Sequence, residues 1–183
     1  VVAVDRLGNV AAIMHSINTV NWGTTGIFVD GVSVPDAGAF LQEGIRAAGP
    51  PHPERHASIV VLRNGKPVLG SAAIGGAGTL AVSVQSMTNA LDYGMGPRAA
   101  VDTTQFLGFE FAPARSPVIT VREGDFSAAM LAQLAALGQE VRALPPAQQR
   151  LLGGHWVGIA IDPVTGALRG GGSRRLNGMA EGY

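Results

Sequence analysis

Residues 58–94 read SIVVLRNGKPVLGSAAIGGAGTLAVSVQSMTNALDYG, and the order of patterns in this stretch decides the fold. Apolar runs from Ser58 to Leu62 and from Pro67 to Ser71 flank Arg63-Asn64-Gly65-Lys66. Asn-Gly between two such runs is a strong short-range hairpin signal. Gly75-Gly76-Ala77-Gly78 follows, and then a helical stretch from Thr79 to Tyr93 that sets Leu80, Val84, Met87 and Leu91 on one face. A glycine pair between a strand and a helix exposes backbone N–H groups that no side chain covers. Such groups hold an anion, either a phosphate or the oxyanion that forms during amide cleavage. Gly76-x-Gly78-x-x-Ala81 is a loose match to the dinucleotide-binding fingerprint. That fingerprint opens a parallel strand–helix–strand unit with an acidic residue closing the second strand. Here the helix runs to Asp92-Tyr93-Gly94 and then into more helix, so the phosphate reading lacks its context.

Outward from this stretch, Val1 to Val4 reads as a strand, Asp5 to Asn9 as a turn and Val10 to Ile17 as the returning strand. A glycine-bearing loop from Asn21 to Gly26 precedes a short strand, Ile27 to Val29. Asp30 to Phe40 reads as a loop broken by Gly31, Pro35 and Gly38. Gly49-Pro50-Pro51-His52-Pro53 is extended, because proline excludes regular helix there. Pro97 to Thr103 is a short helix started by its proline. Asp125 to Leu137 is a third helix, with Asp125 as N-cap and Gly138 as stop. Strands return at Trp156 to Ile161 and Ala167 to Gly170, around a turn from Asp162 to Gly166. The order of strands, helices and strands predicts an α+β domain of sheet layers with helices packed outside. With no repeat or composition break, 1–183 reads as a single domain.

Composition limits the function. Of 183 residues, 46% are hydrophobic and 14% charged, and the net charge is zero. Average soluble domains carry about 25% charged residues, so the shortfall points to apolar surface meant for a subunit interface. No basic stripe exists to neutralise phosphates, which argues against nucleic acid. Arg174-Arg175 reads as a solvated or salt-bridged turn. Absence of cysteine excludes disulfides, thiolate catalysis and cysteine-based zinc sites. No apolar run is long enough to span a bilayer, and neither a Walker loop nor a Gly-x-Ser-x-Gly elbow occurs. His52 and His56 are spaced i, i+4 in proline-rich sequence that does not make a helix face, so they read, with His15 and His155, as polar histidines rather than metal ligands. Gln85 and Asn89 share a helical face and suit structural hydrogen bonding. Ser16 and Asn18 alternate onto one side of a strand, as a satisfied core pair or as a hydroxyl and an amide directed together at a substrate.

These pieces together resemble the small subunit of the gamma-glutamyltranspeptidases, which are N-terminal-nucleophile (Ntn) hydrolases. The resemblance covers nearly the whole chain. It rests on Val4-Asp5-Arg6-Leu7-Gly8-Asn9-Val10, on Ser16-x-Asn18 with Gly23 and Gly26, and on Ser58 to Gly65. It continues through Gly75-Gly76, Gln85-x3-Asn89-x2-Asp92-Tyr93-Gly94 and the ending Arg175-x2-Gly178-x-Ala180-x-Gly182-Tyr183.

The resemblance implies a four-layer αββα sandwich completed by a large subunit cut from the same precursor. It also implies an abrupt start, since Val1-Val2-Ala3-Val4 opens as a strand without an initiator Met. The nucleophile is then expected to be a threonine just upstream of Val1, its hydroxyl attacking an amide and its own α-amine serving as base. By the same resemblance Gly75 and Gly76 form the oxyanion hole, Ser16 assists the nucleophile, and Asn18 contacts the α-carboxylate end of the substrate. Arg175 and Tyr183 are structural. Neither metal nor organic cofactor is implied. The resemblance implies a small gamma-glutamyl or other acyl amide as substrate, as in glutathione metabolism, and suggests a periplasmic or secreted location, which the sequence itself leaves unknown.

Two departures bear on specificity. The family holds the glutamyl amine with an acid before a phenylalanine; Gly38-Ala39 precede Phe40 here, and Asp36 is displaced. The family also has two adjacent serines where this chain has Glu54-Arg55. A pocket with changed partners changes its discrimination. Arg55 suits a carboxylate at another distance, as on the dicarboxylic side chain of a cephalosporin; alternatively Glu54 and Arg55 form a surface ion pair. The readings are therefore a gamma-glutamyltransferase-like enzyme, a cephalosporin-type acylase, and a non-catalytic relative that keeps the fold for assembly or binding.

Overall fold

A computed structural model of the chain describes residues 1–15, 25–34, 58–75, 78–103, 105–106, 108–110, 118–146, 154–174 and 178–182. The chain divides into two compact units, 15–54 and the remainder.

In the smaller unit, β3 (Phe28–Val29) and β4 (Val32–Ser33) form an antiparallel hairpin. Its turn residues, Asp30 at φ 49° and Gly31 at φ 80°, both take positive φ. This is the backbone a two-residue primed turn demands, and Asp-Gly supplies it. The expected loop after Asp30 therefore contains a strand.

The larger unit is built on a four-stranded antiparallel sheet ordered β11 (Leu168–Gly172), β10 (His155–Ile161), β6 (Lys66–Ile74), β5 (Ser58–Arg63). The β5–β6 turn carries Asn64 at φ 52° and Gly65 at φ 78°, as the Asn-Gly signal predicts. Between β10 and β11, the Asp162 carboxylate accepts N–H bonds from Val164 and Thr165, both 2.9 Å. These bonds, that of Thr165 foremost, hold its pKa below the ordinary aspartate value.

The two faces of this sheet are covered differently. Trp156, Ala73, Leu69 and Val61 point to the face on which α1 (Gly78–Leu91) and α2 (Pro97–Asp102) pack, and Trp156, Leu69, Ala73, Val82 and Val101 form its buried core. The Trp156 ring lies across Gly158, where any Cβ would overlap it. On the opposite face sits a hairpin of β1 (Val2–Val4) and β2 (Val10–Ala12). It approaches so closely that a Cβ on Gly70 would come within 2.7 Å of Val10 and 2.8 Å of Val2. Asp5 shapes its turn, accepting from the N–H groups of Leu7 (2.8 Å) and Asn9 (2.9 Å) and from Asn9 Nδ2 (2.8 Å). These bonds, led by the Asn9 side chain, lower the Asp5 pKa. Helices, main sheet and hairpin thus follow in the layered α+β order expected from the sequence.

A three-stranded sheet, β7 (Gly108–Glu110), β8 (Val118–Arg122) and β9 (Val141–Leu144), belongs to the same unit. β8 and β9 are parallel, joined through α3 (Ala128–Ala136). Ser127 caps α3, its hydroxyl accepting the Met130 N–H at 3.2 Å. The expected cap, Asp125, is instead paired with Arg122 at 3.1 Å, which leaves the next hydroxyl along the chain to take the role. Gly138 ends α3 at φ 77°.

Helix α1 also departs from the expected stripe. Leu80 and Val84 are 63% and 55% exposed, whereas Thr79, Val82, Ser83 and Ser86 are buried, and only Met87 and Leu91 of the stripe pack on the core. Small side chains on the inner face let the helix approach the sheet, and the large Trp156 fills the space beneath.

Gly158→Ala tests this packing. Its Cβ would displace the Trp156 ring, and overpacking of this kind costs about 1–3 kcal/mol. The expected result is a lower urea midpoint with an unchanged slope; an unshifted midpoint would contradict the packing.

Candidate functional site

Strand β6 delivers Gly75 to the end of the main sheet. Its last pair, Ile74 with His155, is followed directly by Gly75 at φ 129°. Few residues other than glycine adopt that backbone. The Gly75 carbonyl accepts the Gly78 N–H at 3.0 Å, so the chain turns within three residues from β6 into α1. Both neighbours of β6 are antiparallel to it. The parallel crossover that a dinucleotide site requires is therefore missing around this glycine run, which removes the phosphate reading on topological grounds.

Of the residues singled out from the sequence, Gly75 is described. Gly76, Ser16, Asn18, Asp36, Glu54 and Arg55 lie outside the described residues, as do His52, His56, Arg175 and Tyr183.

The helix that follows Gly75 is fastened by the amides expected to be structural. Gln85 Nε2 donates to the carbonyls of Ala81 (2.9 Å) and Phe106 (3.0 Å), and its Oε1 accepts the Phe106 N–H at 2.7 Å. Asn89 Nδ2 donates to the Ala100 carbonyl at 3.2 Å. The Phe106 ring stacks on Phe126 with centroids 5.2 Å apart, which ties this connection to the turn before α3. Gln85 and Asn89 thus bind α1 to the chain around and beyond α2 and fix its direction away from the glycine turn.

The C-terminal motif is packed on glycines. A Cβ on Gly170 would lie 2.6 Å from Ala180 Cβ, and the Gly178 N–H donates to the Ser173 carbonyl at 3.1 Å. Gly178 and Ala180 are read as structural on this basis. On the helix side, Gly171 abuts the first turn of α2, and Arg98 Nη1 donates to the Gly172 carbonyl at 2.9 Å.

A hollow of about 220 Å³ opens where β10 begins and β11 ends, with Asp102, Arg122, Asp125, His155, Ser173 and Arg174 on its wall. Its charges face one another: Arg122 pairs with Asp125 at 3.1 Å, and Arg174 reaches Asp102 at 3.6 Å. Asp102 also binds Arg98 at 2.7 Å. Among the described residues no group of three or more His, Asp or Glu is arranged to hold a metal ion, and no helix is long and apolar enough to cross a membrane.

One residue that sequence reading did not single out touches the glycine turn. Gly154, just before β10, lies against the Gly78 carbonyl and Val82. Nothing in its local sequence distinguishes it from the neighbouring Gly153, because its role depends on a contact with the start of α1, more than seventy residues earlier.

Comparison with known proteins agrees with this architecture. The family model for gamma-glutamyltranspeptidase matches residues 1–183. The chain is similar to the solved structure of an acivicin-inhibited gamma-glutamyltranspeptidase, with TM-score 0.69 and 20% identity over 96% of this chain and 97% of that one. It is similar to the Bacillus anthracis transpeptidase CapD, with TM-score 0.68 and 19% identity over 100% and 97%. A partial likeness to the cephalosporin acylase of Bacillus halodurans has TM-score 0.50 and 24% identity, over 66% of this chain and 22% of the acylase. No curated protein sequence matches. At these identities the structural likenesses show the fold, an α+β sandwich of the Ntn-hydrolase type.

Removing the Gln85 bonds tests how the site is held. Gln85→Leu would leave the Phe106 N–H without its partner, at a cost of about 1–3 kcal/mol. A lower thermal midpoint is expected; wild-type stability would show that the clamp is dispensable.

Proposed function

The chain belongs to the gamma-glutamyltranspeptidase family, and we propose that it is the small subunit of a self-cleaved heterodimer that cleaves amides by acyl transfer. The observation that carries this reading is the end of β6. Gly75 leaves the sheet at φ 129° and turns at once into α1, in a chain that the family matches over its whole length.

In this reading a threonine just upstream of Val1 is the nucleophile. Its Oγ attacks the substrate carbonyl, and its own α-amine takes the hydroxyl proton. The carbonyl oxygen becomes an oxyanion, held by the backbone N–H groups of Gly75 and Gly76. The C–N bond breaks, the leaving amine takes the proton back from the ammonium, and an acyl ester remains on the threonine. Water or a second amine then attacks the ester, passing its proton to the α-amine, and the hydroxyl is restored. Ser16 assists the nucleophile, and Asn18 contacts the α-carboxylate end of the acyl group.

Specificity is assigned to Asp36, Glu54 and Arg55. An arginine in place of a serine pair binds a carboxylate through a planar, charged fork at a longer reach. That substitution favours a second reading, an acylase for a dicarboxylic acyl group. The low charge of the chain and the exposed Leu80 and Val84 on α1 support burial of further surface by a large subunit.

Expression of the full-length precursor tests the proposal. Two chains are expected, the smaller beginning at a threonine ahead of Val1. A gamma-glutamyl anilide assayed beside glutaryl and adipyl amides separates the two specificities. Gly75→Ala is expected to lower kcat by about 10²–10³, the cost of a displaced oxyanion donor. An uncut precursor with no activity on any of these amides would instead indicate a non-catalytic relative.

A further inference from the structure

The antiparallel register that sets His155 opposite Ile74, carried one step further, brings Gly154 beside the Gly75 end of β6. At this point the backbone just ahead of β10 presses on the first residue of α1. A Cβ built on Gly154 would overlap the Gly78 carbonyl oxygen and Val82 Cγ1, and would lie 2.8 Å from the Gly78 carbonyl carbon. That overlap is enough to require glycine at this position. The side-chain part of the overlap, Val82 Cγ1, can move. The Gly78 carbonyl has less freedom, because it belongs to the first residue of α1, and the N–H of the same residue is committed to the Gly75 carbonyl at 3.0 Å. A push on that carbonyl from Gly154 displaces residue Gly78, whose N–H carries the displacement to the Gly75 carbonyl.

We propose that Gly154 is a positioning residue for the glycine turn: its missing side chain lets the chain entering β10 seat the Gly78 carbonyl, and Gly78 in turn sets the attitude of Gly75. In this proposal Gly154 acts through Gly78 and needs no contact with substrate or nucleophile. The catalytic consequence rests on the reading of Gly75 as an oxyanion donor. A displaced donor weakens the bond to the developing oxyanion while the ground-state substrate is still held by other groups, so kcat falls and KM does not.

The test uses the two-chain enzyme carrying Gly154→Ala. Three quantities are compared with wild type: amide hydrogen exchange across 74–80, kcat and KM for the preferred amide, and the thermal midpoint. The double variant Gly154→Ala/Val82→Ala removes the side-chain half of the overlap and keeps the backbone half, so it serves where the single variant folds poorly. Faster exchange at the Gly78 amide is expected in both, with kcat lower by on the order of 100-fold, the effect of a misplacement near 1 Å, and KM within about twofold. Wild-type exchange at Gly78 in both variants would overturn the proposal. So would wild-type kcat alongside faster exchange, or full recovery of kcat in the double variant, which would trace the loss to Val82 crowding. Faster exchange in a protein whose wild type cleaves no amide would uphold the contact between Gly154 and the turn, and would overturn the catalytic reading of Gly75 instead.

Discussion

Between the main sheet and the layers on either side of it, much of the contact is made against backbone, because glycine stands where a side chain would separate the layers. Gly154 meets the first peptide of α1, Gly171 meets the first turn of α2, and Gly70 lies under Val2 and Val10 of the hairpin. Helix α1 answers with small inner residues, Thr79, Ala81, Ser83 and Ser86. Layers brought this close leave little volume for large side chains, and Trp156, fully buried across Gly158, takes most of it. Interiors are packed densely enough that a single added carbon is felt. The geometry of the strand ends therefore follows from a few positions that carry no side chain.

This constraint bears directly on the chemistry proposed for the chain. An oxyanion hole made of backbone N–H groups has no rotamers to adjust, so its accuracy is that of the backbone itself. Gly75 is placed by the register of β6 with β10, by its bond to Gly78, and by the direction of α1, which Gln85 and Asn89 fix through the chain around Phe106 and Ala100. Residues distant in sequence thus act on one turn through short, stiff connections.

The sequence carried a large part of this. The β5–β6 hairpin was legible because Asn64-Gly65 demands a specific turn, and the strand–glycine–helix order around Gly75 because the period changes from two to near four across it. The family resemblance was legible in ordered short motifs, and the match over residues 1–183 bears it out. The inner face of α1 was misread, since hydrophobicity favours Leu80 and Val84 whereas close approach favours serine and threonine. The parallel β8–β9 pair was missed because each strand is short and carries an arginine, Arg122 at the end of β8 and Arg142 within β9, which leaves little apolar run. Capping by Ser127 was hidden by the ion pair that occupies Asp125. Gly154 was illegible for a different reason: a glycine required by space is marked only by its neighbour in three dimensions. Gly76, Ser16, Asn18, Asp36, Glu54 and Arg55 stand as readings from the resemblance, because they lie outside the described residues.

The central claim is that this family member forms an acyl-enzyme on a threonine ahead of Val1. It is tested most directly by trapping the covalent intermediate. The two-chain protein would be incubated with an irreversible amide-mimicking electrophile that carries the preferred acyl group, then digested and mapped by mass spectrometry. The account predicts one adduct per heterodimer, on the N-terminal threonine of the smaller chain, and its disappearance when that residue is replaced by alanine in a separately assembled enzyme. An adduct on any other residue, or none in a protein that still turns over the amide, would contradict it.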